Sequence, residues 1–100
     1  MKADAKMAVT IELIGALRHA ANTNQLALNI KNNTTIKELI NEVTEKIPAL
    51  AHSLIDQQPE NPTLNVLVLV NNKEISVLNG LQTTLQNNDK VVLVPVVHGG

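Results

Sequence analysis

The side chains able to do chemistry are few and poorly placed for it. Three histidines, His19, His52 and His98, are scattered, and no two stand four residues apart as a helical metal pair requires. Glu38, Glu42 and Glu45 recur at spacings of three and four and interleave with Lys37 and Lys46. That pattern reads as a solvated charged helix face, not as a catalytic carboxylate pair. There is no glycine-rich phosphate loop and no nucleophile elbow. Cysteine is absent, so thiol nucleophiles and disulfides are excluded. The exception is the ending Val96-Val97-His98-Gly99-Gly100. Two glycines lack Cβ atoms, so they can thread a narrow channel and take conformations closed to other residues. A carboxylate on such a tail can be delivered into another protein's active site. Taken alone, the same ending is also what a frayed or accidental terminus looks like.

Something folded must hold that tail. Val9, Ile11 and Leu13 alternate at period two within residues 8–14, a strand pattern that Gly15 interrupts. Residues 16–21 can make one helical turn, and Asn22-Thr23-Asn24 is a turn cluster. Leu26, Leu28 and Ile30 alternate in a second strand, expected to pair antiparallel with the first. Ile36, Leu39, Ile40, Val43 and Ile47 form a helical stripe. Thr35 and Glu38 have the spacing of a capping box at its start, and Pro48 ends it. Residues 49–56 suggest a short turn and 57–63, with two prolines, a loop.

The aliphatic run Leu64 to Val70 predicts a central strand covered on both faces. Asn71-Asn72 supplies a tight turn, because asparagine tolerates positive φ. A short strand is expected at Glu74 to Val77, a turn at Asn79-Gly80, and a closing strand at Lys90 to Val96. The organisation expected is a flexible arm (1–6), one domain (7–96) and a flexible Gly-Gly tail (97–100).

The composition bounds the partners. The chain has 100 residues, 44% of them hydrophobic, no aromatic residue and a formal charge of −1. The core must therefore be aliphatic, at roughly 1.5–3 kcal/mol per fully buried side chain. No basic stripe or aromatic platform is available for direct nucleic-acid binding. The apolar runs are too short to span a membrane, and the start lacks the apolar core of a signal peptide. A cytoplasmic protein is expected, and its many asparagines suit a mesophilic source.

The element order and several local motifs resemble the MoaD, ThiS and ubiquitin-related-modifier group of sulfur carriers over about residues 7–100. Ile14-Gly15-Ala16-Leu17-Arg18 is similar to that family's first strand end. Leu69-Val70-Asn71-Asn72-Lys73-Glu74-Ile75 is similar to its valine–asparagine–glycine hairpin. Leu85 through Gly100 resembles its closing signature of leucine, glycine–aspartate, valine-rich strand, proline and Gly-Gly end. Asn72 and Asn88 stand where that family usually has glycine, and Pro95-Val96 replaces a double proline.

The resemblance implies an α+β, ubiquitin-like β-grasp fold: a mixed sheet of about five strands with one main helix packed on one face. It also implies a non-catalytic carrier. A ubiquitin-activating-type, MoeB- or ThiF-like enzyme would adenylate the carboxylate of Gly100 with ATP and magnesium, the carrier itself binding no cofactor and no metal. A sulfur donor would displace AMP and leave a thiocarboxylate for molybdopterin biosynthesis or tRNA thiolation. The partners implied are that enzyme and either a MoaE-like large subunit or a tRNA-thiolating enzyme. Val97, His98 and Gly99 would thread the partner's site. Two alternatives stand beside this: a ubiquitin-like modifier joined through Gly100 to lysines, and a β-grasp binding module with an idle tail.

In the closing strand, Val91 and Leu93 point to one face, and Val92 and Val94 to the other. The register of the family places the first pair inside. Val92 and Val94 are then expected to form an apolar partner surface near the tail, unless residues 49–63 cover them as a second layer.

Overall fold

The computed structural model describes residues 6–56 and 63–96. Strand β1 (Lys6–Leu13) leads into the short helix α1 (Ala16–Ala21) and strand β2 (Gln25–Lys31). Helix α2 (Ile36–Lys46) follows, then a 3₁₀ turn, Pro48–Leu50, and a single helical turn α3 (Ala51–Leu54). Two-residue strands β3 (Ile55–Asp56) and β4 (Thr63–Leu64) pair with each other. Strands β5 (Val66–Val70), β6 (Lys73–Glu74) and β7 (Lys90–Pro95) complete the chain, with 3₁₀ turns at Ile75–Val77 and Gly80–Gln82.

The main sheet has the order β2-β1-β7-β5-β6. β1 and β7 run parallel side by side, while β2, β5 and β6 pair antiparallel with their neighbours. This is the β-grasp arrangement that the element order predicts. Period-two alternation decides which side of each strand meets the helix. Met7, Val9, Ile11 and Leu13 of β1, Leu28 and Ile30 of β2, Val66, Val68 and Val70 of β5, and Val91 and Leu93 of β7 are all buried. They face the apolar stripe of α2, where Ile36, Leu39, Ile40 and Val43 are buried. The cap of α2 is reciprocal: the Glu38 N–H donates to Thr35 Oγ1 at 3.2 Å and the Thr35 N–H donates to Glu38 Oε1 at 2.9 Å.

Asparagine occupies the positive-φ positions of the turns after β5 and before β7. Asn71 and Asn72 have φ of 51° and 73° and join β5 to β6 as a two-residue loop, and Asn88 has φ 71°. Both residues of such a hairpin turn must adopt positive φ, which asparagine tolerates better than any other non-glycine residue.

Three expectations change. The segment from Glu74 to Val77 is not a strand. β6 ends at Glu74, whose carboxylate accepts the Ser76 N–H at 3.2 Å and turns the chain into a 3₁₀ segment. Ile75 is buried and Val77 is 72% exposed, so their apolar alternation is not that of a strand face. β5 is internal to the sheet, as expected, but among the described residues only one of its faces is covered. It lies between β7 and the short edge strand β6, and Leu67 is 41% exposed. The first strand begins at Lys6, paired with Lys31, so the domain starts one residue earlier than the expected arm boundary. Residues 1–5 of that arm, and most of the 57–63 loop, lie outside the described residues.

The segment after Pro48 is more ordered than a single turn. Leu50 and Leu54 are fully buried in the same core as α1 and α2. Its described part therefore covers the helix side of the sheet, not the opposite face. No helix among the described residues is long and apolar enough to cross a membrane.

Candidate functional site

The ionisable side chains do not converge. His19 and His52 are exposed on separate elements, and Glu42 and Glu45 are exposed on α2. Glu38 is occupied in the helix cap. Among the described residues no group of three or more His, Asp or Glu side chains could hold a metal ion. His98 lies outside the described residues, as do Val97, Gly99 and Gly100.

What the fold brings together is an apolar surface on the face of the sheet away from α2. The outward residues of β5 and β7 meet in register. Leu67 stands opposite Val94, and Leu69 opposite Val92. Val92 and Val94 are half-buried, as is Leu69, and no element among the described residues is layered over them. On the other side of β7, Val92 stands opposite Glu12 of β1. Glu12 Oε1 lies 3.0 Å from Lys90 Nζ, so a polar pair borders the apolar residues. Exposed pairs of this kind contribute little stability, but they mark where the apolar surface ends.

Leu67 and Leu69 are the part that the sequence reading misses. An aliphatic run reads alike whether its second face is covered by the same chain or left open. The distinguishing signal is the register, since Leu67 and Leu69 share a face with Val92 and Val94 and no helix among the described residues covers them.

The root of the tail is held at the end of this surface. Pro95, the last residue of β7, pairs with Val66. The Val96 N–H donates to the Asn65 carbonyl at 3.1 Å, and Val96 is 43% exposed. Beside it the chain turns from β1 into α1 at Gly15, which has φ +60° and approaches the Pro95 ring. The Ile14 N–H donates to the Leu93 carbonyl at 3.2 Å and joins the same corner. Chemically the arrangement can dock a partner against an aliphatic face and present the residues after Val96 to it. The described side chains offer no clustered acid, base or nucleophile that could act alone.

The sequence profile of the ThiS family matches residues 11–100. Small archaeal modifier protein 3 of Haloferax volcanii is 24% identical over 94 residues, which span 94% of this chain and 100% of that protein. The solution structure of small archaeal modifier protein 1 from Methanosarcina acetivorans superposes with a TM-score of 0.80 at 29% identity, covering 96% of this chain and 99% of that one. A chain of the Amycolatopsis orientalis BexX/CysO complex shares the fold at 22% identity, with a TM-score of 0.66 over 92% of this chain and 99% of its own. With the family profile spanning nine-tenths of the sequence and the sheet order agreeing with it, the chain belongs to the ThiS family of small ubiquitin-like, β-grasp carrier and modifier proteins.

Proposed function

We propose that the chain is a sulfur carrier whose reacting group is the α-carboxylate of Gly100. An adenylating enzyme of the ubiquitin-activating type works on it with ATP and magnesium. A carboxylate oxygen attacks the α-phosphorus of ATP and pyrophosphate leaves, which turns a poor electrophile into an acyl-adenylate anhydride. Hydrosulfide from a sulfur donor then attacks the carbonyl carbon and AMP departs with the bonding electron pair, leaving a thiocarboxylate. The acceptor is a molybdopterin precursor or a tRNA base, reached through a MoaE-like large subunit or a tRNA-thiolating enzyme.

The observation that carries this reading is the register of Leu67 with Val94 and of Leu69 with Val92. It supplies an apolar face that no element among the described residues covers and that ends at Pro95, directly before the tail. Apolar faces of this kind serve as partner surfaces. Docking there orients a tail that has no catalytic groups of its own, and Val97, His98 and Gly99 then run into the partner's channel. Crystallisation of the fold-sharing Amycolatopsis chain as part of a two-protein complex agrees with partner-dependent chemistry.

A second reading has its own support. Two relatives are named as modifiers, and conjugation to lysines would use the same activated Gly100. Mass spectrometry of the chain from its native cell separates the two. A carrier shows free protein heavier by the difference between sulfur and oxygen. A modifier shows higher-mass conjugates that survive reductant. If the free protein carries no sulfur and no conjugates form, both readings fail and the tail is idle.

A further inference from the structure

The sheet has one long unprotected edge, two strands away from β7 in the strand order. β2 is the outermost strand beyond β1, seven residues long. The ladder with β1 fixes which of its main-chain groups are used. The Leu13 N–H donates to the Asn24 carbonyl at 2.9 Å, so Leu26, Leu28 and Ile30 turn their peptide groups toward β1. Gln25, Ala27, Asn29 and Lys31 turn theirs outward.

The ends of this outward row are partly satisfied. The Gln25 carbonyl accepts from Thr23 Oγ1 at 3.1 Å, and its N–H donates back to that oxygen at 3.4 Å. The Lys31 carbonyl accepts from the Thr34 hydroxyl at 2.7 Å. Ala27 and Asn29, between them, present an N–H and a carbonyl each with no protein partner among the described residues. Soluble proteins usually blunt such an edge with proline, a bulge or a central charge. From Gln25 to Ile30 this strand has none of the last kind and no proline, whereas the opposite edge, β6, is only two residues long.

The edge borders a groove of about 400 Å³ between β2 and α2, in which Ala27, Leu28 and Asn29 face Glu42 and Glu45. An adjoining hollow runs on past Asn32 and Asn33, with Glu42 shared between the two and Glu38 beyond it. Glu38, Glu42 and Glu45 follow helical spacing on one stripe of α2, parallel to the open edge. Lys46 stands at one end of the groove and Lys31 near the other, so its middle is acidic.

We propose that β2 receives an extended, lysine- or arginine-bearing segment of a partner protein as a sixth strand. The segment's main chain pairs with Ala27 and Asn29. The residue that falls opposite Leu28 projects to the α2 side, where a long basic side chain lays its stem along the groove and reaches Glu42 or Glu45. Residues opposite Ala27 and Asn29 lie on the other face, where small or polar side chains fit. A second copy of this chain is a poor occupant, because pairing β2 with β2 would set two acidic stripes against each other.

The test uses the full chain, labelled with ¹⁵N, and a capped heptapeptide alternating lysine with threonine. Titration should shift the amide signals of Ala27 and Asn29 and slow their hydrogen exchange. The combined variant Glu42→Gln, Glu45→Gln should weaken binding roughly fivefold and reduce its salt dependence. The same peptide with glutamate for lysine should not bind. Nor should one N-methylated at the amides that face β2, a control that leaves the protein unaltered. No shift at millimolar peptide, or equal binding of the methylated peptide, overturns the proposal. So does a shift of Ala27 and Asn29 with protein concentration alone, which would make a second copy the occupant.

Discussion

Gly15 stands beside the Pro95 ring at the corner where β1 ends and β7 runs out. A Cβ built on Gly15 would stand 3.4 Å from the Pro95 Cγ. The backbone at Gly15, with φ 60° and ψ −132°, lies in a region that residues with a side chain rarely adopt. Gly15→Ala should cost about 1–3 kcal/mol through backbone strain. Chemical denaturation checks this, and a loss of only a few tenths of a kcal/mol would show that the corner relaxes freely.

Leu93 is the core residue at the middle of the sheet. It is 1% exposed, pairs with Leu13 on one side and Val68 on the other, and faces the α2 stripe. Leu93→Ala should cost roughly 2–5 kcal/mol, the loss of buried methyl groups plus the cavity left behind. Denaturant midpoints measure it.

Much of this architecture is legible from residue order, for reasons tied to particular residues. The stripe Ile36, Leu39, Ile40 and Val43 with Thr35 and Glu38 at its start admits only a capped helix. The alternation in β1, β2 and β7 gives each strand's inward side, because period two leaves one register that buries the aliphatics. Short-range logic fails where a distant partner decides. Ile75 and Val77 mimic a strand until the Glu74 carboxylate captures the Ser76 N–H. The pairing of Ile55 with Leu64 joins segments on either side of a loop, and no local pattern announces it. The open face of β5 depends on what the rest of the chain fails to cover. At the site, Val92 and Val94 are legible from parity, whereas Leu67, Leu69 and the placing of Gly15 against Pro95 need the fold.

The helix cap can be tested separately from the core. Thr35→Ala removes the oxygen that accepts the Glu38 N–H. It should cost about 1 kcal/mol, with the sheet unchanged by amide chemical shifts.

The open face should separate binding from folding. Val94→Asp and Leu67→Asp place a charge on paired residues of that face, where water still reaches it. Both should fold, with melting temperatures close to the parent, and both should weaken binding to the adenylating enzyme. A binding titration beside thermal melts reads the two effects independently. Loss of fold in both variants would mark this face as core.

The central claim concerns Gly100. Adenylation needs a narrow site, because the anhydride must be kept from water. Gly100→Ala should slow the reaction sharply, since a Cβ crowds the reacting carboxylate. One residue added after Gly100 should abolish it, because the carboxylate is displaced by a full residue length, while stability stays the same. The direct measurement is ATP–pyrophosphate exchange with the adenylating enzyme of the same organism. The parent chain should support exchange and the extended chain none. Equal exchange by the two would mean that Gly100 is not the reacting group.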